Sequence, residues 1–207
     1  MSWIKDVKEK LMKDKSRLFI LILALILPLA CNLFPTPTPE GPCLATAGSH
    51  ITAYQRPSLL AQVFGDMSSG LQVEVLAQTS DDWLGFDPGV AQAGNIGIFR
   101  LRWIESSSDI ALTGDCESVP IVVGPPPGVC FTMAMGEIDV HLHPDAESDL
   151  IATMDVEDYA AVEGVTADNW ARVDLSLGNL GVDIQGWIPG SALNMNGPCD
   201  DLPVIEP

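Results

Sequence analysis

The chain has 207 residues with 10 Lys plus Arg, 28 Asp plus Glu, 18 Gly, 16 Pro and 5 Cys, enough for one or two domains at about 100–200 residues each. Its net charge of −18 argues against a nucleic-acid partner, because holding a phosphate backbone takes clustered Lys and Arg that release counterions. The charge is uneven. Lys5, Lys8, Lys10, Lys13, Lys15 and Arg17 crowd the start, whereas from residue 31 onward only Arg56, Arg100, Arg102 and Arg172 stand against 25 acids, a balance of −21.

Behind the basic start, residues 18–30 (LFILILALILPLA) form an unbroken apolar run, the order of charged and apolar regions in a secretory signal. Thirteen helical residues span only about 20 Å, short of the ~30 Å hydrocarbon core. A permanent single-pass anchor is therefore the weaker expectation. The run ends Pro28-Leu29-Ala30-Cys31, which resembles the lipobox of bacterial lipoproteins, where a small residue precedes the Cys that is lipidated and becomes the mature N-terminus. Pro28 stands where that family usually has Leu. The resemblance implies lipidation at Cys31 and a membrane contact through acyl chains, two or more of which make stable anchoring; an uncleaved signal anchor over residues 1–31 is the alternative. Residues 32–42 follow as a Pro-rich linker whose alternating prolines favour polyproline II and act as a semi-rigid spacer.

The remainder repeats once, at a period of 87 residues. Cys43 and Cys130 open the copies, with Pro57 and Pro144, then Trp83 and Trp170, at matching distances. Thr79-Ser80-Asp81-Asp82-Trp83 matches Thr166-Ala167-Asp168-Asn169-Trp170, and Gly94-Asn95-Ile96-Gly97 matches Gly178-Asn179-Leu180-Gly181 ahead of Trp103 and Trp187. Both copies close alike, with Cys116 before Val119-Pro120 and Cys199 before Leu202-Pro203. The first copy carries three extra residues within Asp87–Gly94, a Pro- and Gly-marked turn that accepts length changes. The expected domains are 43–120 and 130–204, joined by a stiff linker over 121–129.

Within each copy the apolar residues alternate, as in Leu71, Val73, Val75 and Ala77, which is strand periodicity. Short runs such as Trp170-Ala171-Arg172-Val173 and Gly186-Trp187-Ile188, bounded by Gly, Asp and Asn, predict a small all-β barrel or sandwich. Units of this size often need a covalent staple. Cys43 with Cys116, and Cys130 with Cys199, occupy equivalent ends, so pairing within each copy is favoured over the two other connectivities that four cysteines allow. Disulfides imply an oxidising compartment and leave Cys31 as the odd cysteine.

These residues resemble the bacterial SH3-like (SH3b) domain, a five- or six-stranded barrel with an Asp-x-Trp element and a closing Gly-Trp-Ile/Val strand. The matching stretches are Ala53-Tyr54-Gln55-Arg56-Pro57, Asp81-Asp82-Trp83 and Arg102-Trp103-Ile104, then Val140-His141-Leu142-His143-Pro144, Asp168-Asn169-Trp170 and Gly186-Trp187-Ile188. Arg102 departs from the closing Gly, and neither copy has the usual Asn-Val-Arg opening. The resemblance covers residues 43–204 and implies two tandem barrels that bind cell-wall or other extracellular peptides and glycans.

Tyr54, Trp83, Trp103, His141, Trp170 and Trp187 are the candidate ligand-binding groove, since an aromatic ring offers an apolar face for prolines or sugar rings. Each tryptophan is also a natural core residue for so small a barrel; Tyr54 and His141 are expected at the surface. His141-x-His143 places two imidazoles on one strand face, with Asp139 or Asp145 as the nearest third metal ligand, but surface histidines explain it more simply. The acid groups Asp145, Glu147, Asp149 and Asp155, Glu157, Asp158 lack the spacing of a calcium loop. There is no nucleophile elbow, P-loop or His-Glu-x-x-His motif, and a papain-like mechanism would need a free thiolate. The expectation is a non-enzymatic, extracytoplasmic, membrane-anchored binding protein without metal or cofactor. The alternative is an assembly subunit of a cell-envelope complex with no groove ligand.

Overall fold

The computed structural model describes residues 41–92 and 94–206. The expected signal segment and Cys31 lie outside the described residues, as does nearly all of the Pro-rich linker. What is described is all-β, with fifteen strands in three antiparallel sheets and three short 3-10 turns.

The first copy supplies β1 (Leu44–Ala47), β2 (Ile51–Tyr54), β3 (Val63–Met67), β4 (Gln72–Glu74), β5 (Ala77–Gln78), β6 (Trp83–Phe86), β7 (Arg102–Glu105) and β8 (Ile110–Thr113). The second supplies β9 (Phe131–Met133), β10 (Ile138–His141), β11 (Leu150–Met154), β12 (Tyr159–Val165), β13 (Trp170–Asp174), β14 (Gln185–Pro189) and β15 (Met195–Asn196). Alternation decides their faces: in β13, Ala171 and Val173 are fully buried while Trp170, Arg172 and Asp174 between them are only partly so.

Strand order repeats with the sequence. The second copy is one sheet ordered β11-β10-β14-β13-β12-β9-β15; the first splits into β3-β2-β7-β6-β5 and β4-β1-β8. Taking β4 and β5 as one interrupted strand makes the two orders identical. The interruption is a change of partner: Val75 N–H donates to Cys43 O (2.9 Å), and the next residue, Leu76, donates to Gly85 O (2.8 Å). At the equivalent corner Val162 N–H donates to Cys130 O (2.8 Å), and β12 stays continuous by bulging between Val162 and Gly164. Sequence alternation predicts one strand through Leu71–Ala77; the corner divides it, leaving Leu71 exposed while Val75 and Ala77 are buried.

Each core closes with its disulfide. Cys43 precedes β1 and bonds Cys116 beyond β8; Cys130 precedes β9 and bonds Cys199 beyond β15, with Cα atoms 4.5 and 5.0 Å apart. Loops of 73 and 69 residues give about 4 kcal/mol each in the chain-entropy model, and such bonds fit an oxidising, extracytoplasmic location. Beside each bridge sits a glycine with positive φ, Gly114 (88°) and Gly197 (115°). A Cβ there would collide with the carbonyl oxygen of Pro42 or of Val129. Only glycine meets both demands.

Past the closing cysteines the chain makes one more equivalent step. Val122 N–H donates to Gln78 O (2.8 Å) and Ile205 N–H to Val165 O (2.9 Å), so the start of the expected linker bonds as the chain end of the second copy does. The copies also share an apolar cluster. Phe99, from the 3-10 turn Gly97–Arg100, packs with Phe131, Met133, Tyr159 and Ala161. The loop with the three extra residues lies at this junction: Asn194 Nδ2 donates to Gly94 O and Asn196 Nδ2 to Asn95 Oδ1, both at 2.7 Å.

Candidate functional site

The Thr-x-Asp-Asp/Asn-Trp motif builds the same hairpin corner twice. Trp83 N–H donates to Thr79 Oγ1 and Trp170 N–H to Thr166 Oγ1, each at 3.1 Å. Asp82 (φ 66°) and Asn169 (φ 64°) take the left-handed conformation just before the tryptophan, which Asp and Asn tolerate better than other non-glycine residues. A threonine hydroxyl in this place contributes about 1 kcal/mol, and the corner sets where each tryptophan enters its strand.

Each tryptophan so placed meets the last residue of an earlier strand edge to face. Tyr54 and Trp83 have ring centroids 5.7 Å apart at 86°; His141 and Trp170 are 5.6 Å apart at 88°. Such T-shaped pairs align a ring edge with a π face. Tyr54, His141 and Trp170 are partly buried and Trp83 is 6% exposed. His141 Nδ1 donates to Ser148 O (3.2 Å).

The closing-strand tryptophans are both buried. Trp103, across from Tyr54, has no exposed surface, and its indole N–H has no acceptor among the described residues. Its ring fits because the facing residue is Gly85, where a Cβ would stand 3.0 Å from the indole. Trp187, across from His141, is 7% exposed and faces Arg172 instead, which pairs with Glu163 at 2.7 Å. Of the six candidate groove residues, the structure thus gathers two edge-to-face pairs, with Trp103 and Trp187 buried on the strands across from Tyr54 and His141.

The Arg102 departure has a steric cause. In the second copy a Cβ at Gly186 would lie 2.5 Å from Val140 Cγ1. The first copy has Ala53 in the place of Val140, and the missing methyls leave room for the Arg102 side chain. Its guanidinium lies 4.7 Å over Phe64 and bonds Leu101 O (2.8 Å), Phe99 O (3.2 Å) and Gln92 Oε1. Burial holds its pKa below the ordinary value, against the charge of Asp87. Arg102 thereby ties the inserted loop to the turn that carries Phe99. The sequence marked Arg102 only as an exception and Arg56 only as part of a matching stretch; Phe99, which organises the junction with Arg56, carried no motif.

His143, Asp139 and Asp145 are exposed. Among the described residues no three His, Cys, Asp or Glu side chains gather as a metal site, and no helix is long and apolar enough to cross a membrane. Cys31, the candidate lipidation site, lies outside the described residues.

No family model matches the chain, and no curated protein does. Among solved structures it is similar to the structure of NlpC2 from Trichomonas vaginalis, at 11% identity over 79% of this chain and 51% of that one, with a TM-score of 0.27. The chain thus spans about half the length of that protein, a likeness too slight to bear on activity.

Proposed function

We propose that the chain is a non-catalytic extracytoplasmic binding protein, made of two tandem SH3b-type modules that recognise cell-wall or other extracellular peptides or glycans through their aromatic pairs. The observation that carries this reading is the recurrence of one edge-to-face pair at equivalent positions, with the ring at the strand end changed from Tyr54 to His141. Two modest sites on one chain raise avidity when a polymeric ligand engages both. Lipidation at Cys31 and the proline spacer would hold them off a membrane surface, and the two disulfides support that side of the membrane.

Pull-down of the full-length chain with purified wall fragments and with isolated surface proteins tests this. Retention that falls when Tyr54→Ala and Trp170→Ala are combined, with the folded state checked by circular dichroism, supports the reading; unchanged retention removes it. A second reading, an assembly subunit with no groove ligand, draws on apolar side chains exposed away from the pairs. Leu59, Leu60, Ile121 and Val123 are 61%, 89%, 71% and 75% exposed. Cross-linking to a membrane complex that survives loss of both aromatic pairs would favour it.

A further inference from the structure

The described arginines divide into two kinds. Arg100 lies 3.0 Å from Asp87 and Arg172 lies 2.7 Å from Glu163, both as ion pairs. Arg56 is 7% exposed, yet no carboxylate among the described residues pairs with it. Its guanidinium lies 4.6 Å over the Phe99 ring, and it donates from Nη1 to Gln55 O (3.2 Å) and from Nη2 to Asn196 Oδ1. Both acceptors are neutral. Burial, and then the like charge of Arg102, lower its pKa to about 10, so it remains a cation at neutral pH. A buried charge is costly unless an opposite charge meets it.

Arg56 does not face packed protein on every side. It lines a cleft of about 400 Å³ between the copies, with Gln55, Leu60 and Gln62 on one wall and Val129 and Asn196 on the other. That volume falls in the range of small-ligand sites, about 300–1,000 Å³. A guanidinium has five N–H donors in a planar fork; two are committed, and three remain. Apolar and amide side chains together suit a peptide backbone beside the charge. The −21 balance from residue 31 onward repels a phosphate dianion more strongly than a single carboxylate.

We propose that this cleft binds the terminal carboxylate of a peptide, with Arg56 as its counter-ion. The site spans both copies and is built from the junction itself, so it requires the tandem arrangement. It does not rest on the aromatic pairs, which lie outside the cleft.

Calorimetric titration of the full-length chain at neutral pH with acetyl-trialanine as free acid, with its C-terminal amide and with glucuronate tests the proposal. The free acid is expected to saturate one site and the amide to bind about tenfold or more weakly, the loss of one charge-assisted contact. Arg56→Gln is expected to abolish the difference and Arg56→Lys to keep part of it. Equal binding of acid and amide, or no saturable binding of the acid, would overturn the site; glucuronate binding as tight as the peptide acid would overturn the peptide assignment. Should Arg56→Gln fail to fold, the contrast between acid and amide on the unmodified chain decides alone. That contrast is read independently of wall-fragment retention, so either reading can fail without the other.

Discussion

The rings of Phe99 and Tyr159 meet edge to face at 5.1 Å and 84° across the junction between the two copies. Tyr159 donates its hydroxyl to Val123 O (3.1 Å), so the same side chain also holds the connecting segment. Phe99 is 1% exposed, and truncating a buried phenylalanine costs about 3–5 kcal/mol. The unmodified protein is expected to unfold in one calorimetric transition, and Phe99→Ala to lower its midpoint and separate the copies into two. A single unshifted transition in the variant would show that the junction contributes nothing.

Gly114 and Gly197 are expected to be the least replaceable residues outside the core. Alanine at either combines a left-handed backbone with a clash against a carbonyl, an expected loss of about 2 kcal/mol or more. Urea denaturation of Gly114→Ala and Gly197→Ala checks this against Gly89→Ala. Gly89 also has positive φ, but a Cβ there meets nothing within 4 Å, so its loss should be the smaller.

Acid should weaken the loop that reaches the second copy. Asp87 accepts from Gly89 N–H (2.8 Å) and from Arg100 (3.0 Å), and these bonds hold its carboxyl below the usual carboxylate value. A folded-state pKa below the unfolded one means stability that is present above about pH 4 and lost as pH falls through the folded value. Urea midpoints measured from about pH 5 down to pH 2 should therefore fall more steeply for the unmodified chain than for Asp87→Asn. Parallel slopes would contradict the coupling.

Much of this architecture was legible in the residues because the repeat supplied its own control. Cys43 and Cys130, with Cys116 and Cys199, pointed to two loops, and both close in the structure. Trp170-Ala171-Arg172-Val173 read as a strand and is one. The junction was not legible. Phe99 acts through Phe131 and Tyr159, Arg56 through Asn196, and the loop holding Gly94 and Asn95 through Asn194 and Asn196, about a hundred residues away; contacts between segments so separated leave no periodicity in either one. Burial of Trp103 was the expectation for a tryptophan in so small a barrel, but its dependence on a glycine at position 85 of the facing strand was hidden. Tyr54 and His141, expected at the surface, are partly buried because each packs against a tryptophan whose position is set by a distant hairpin corner.

The central claim is that one disulfide-closed β unit is used twice. Non-reducing proteolysis of the protein isolated from cells, with mass spectrometry of the linked peptides, tests it most directly. The account predicts two linkages, 43 with 116 and 130 with 199, and a fall in stability of about 4 kcal/mol for each on reduction. A bond joining residue 43 or 116 to residue 130 or 199, or four free thiols in the native protein, would contradict it.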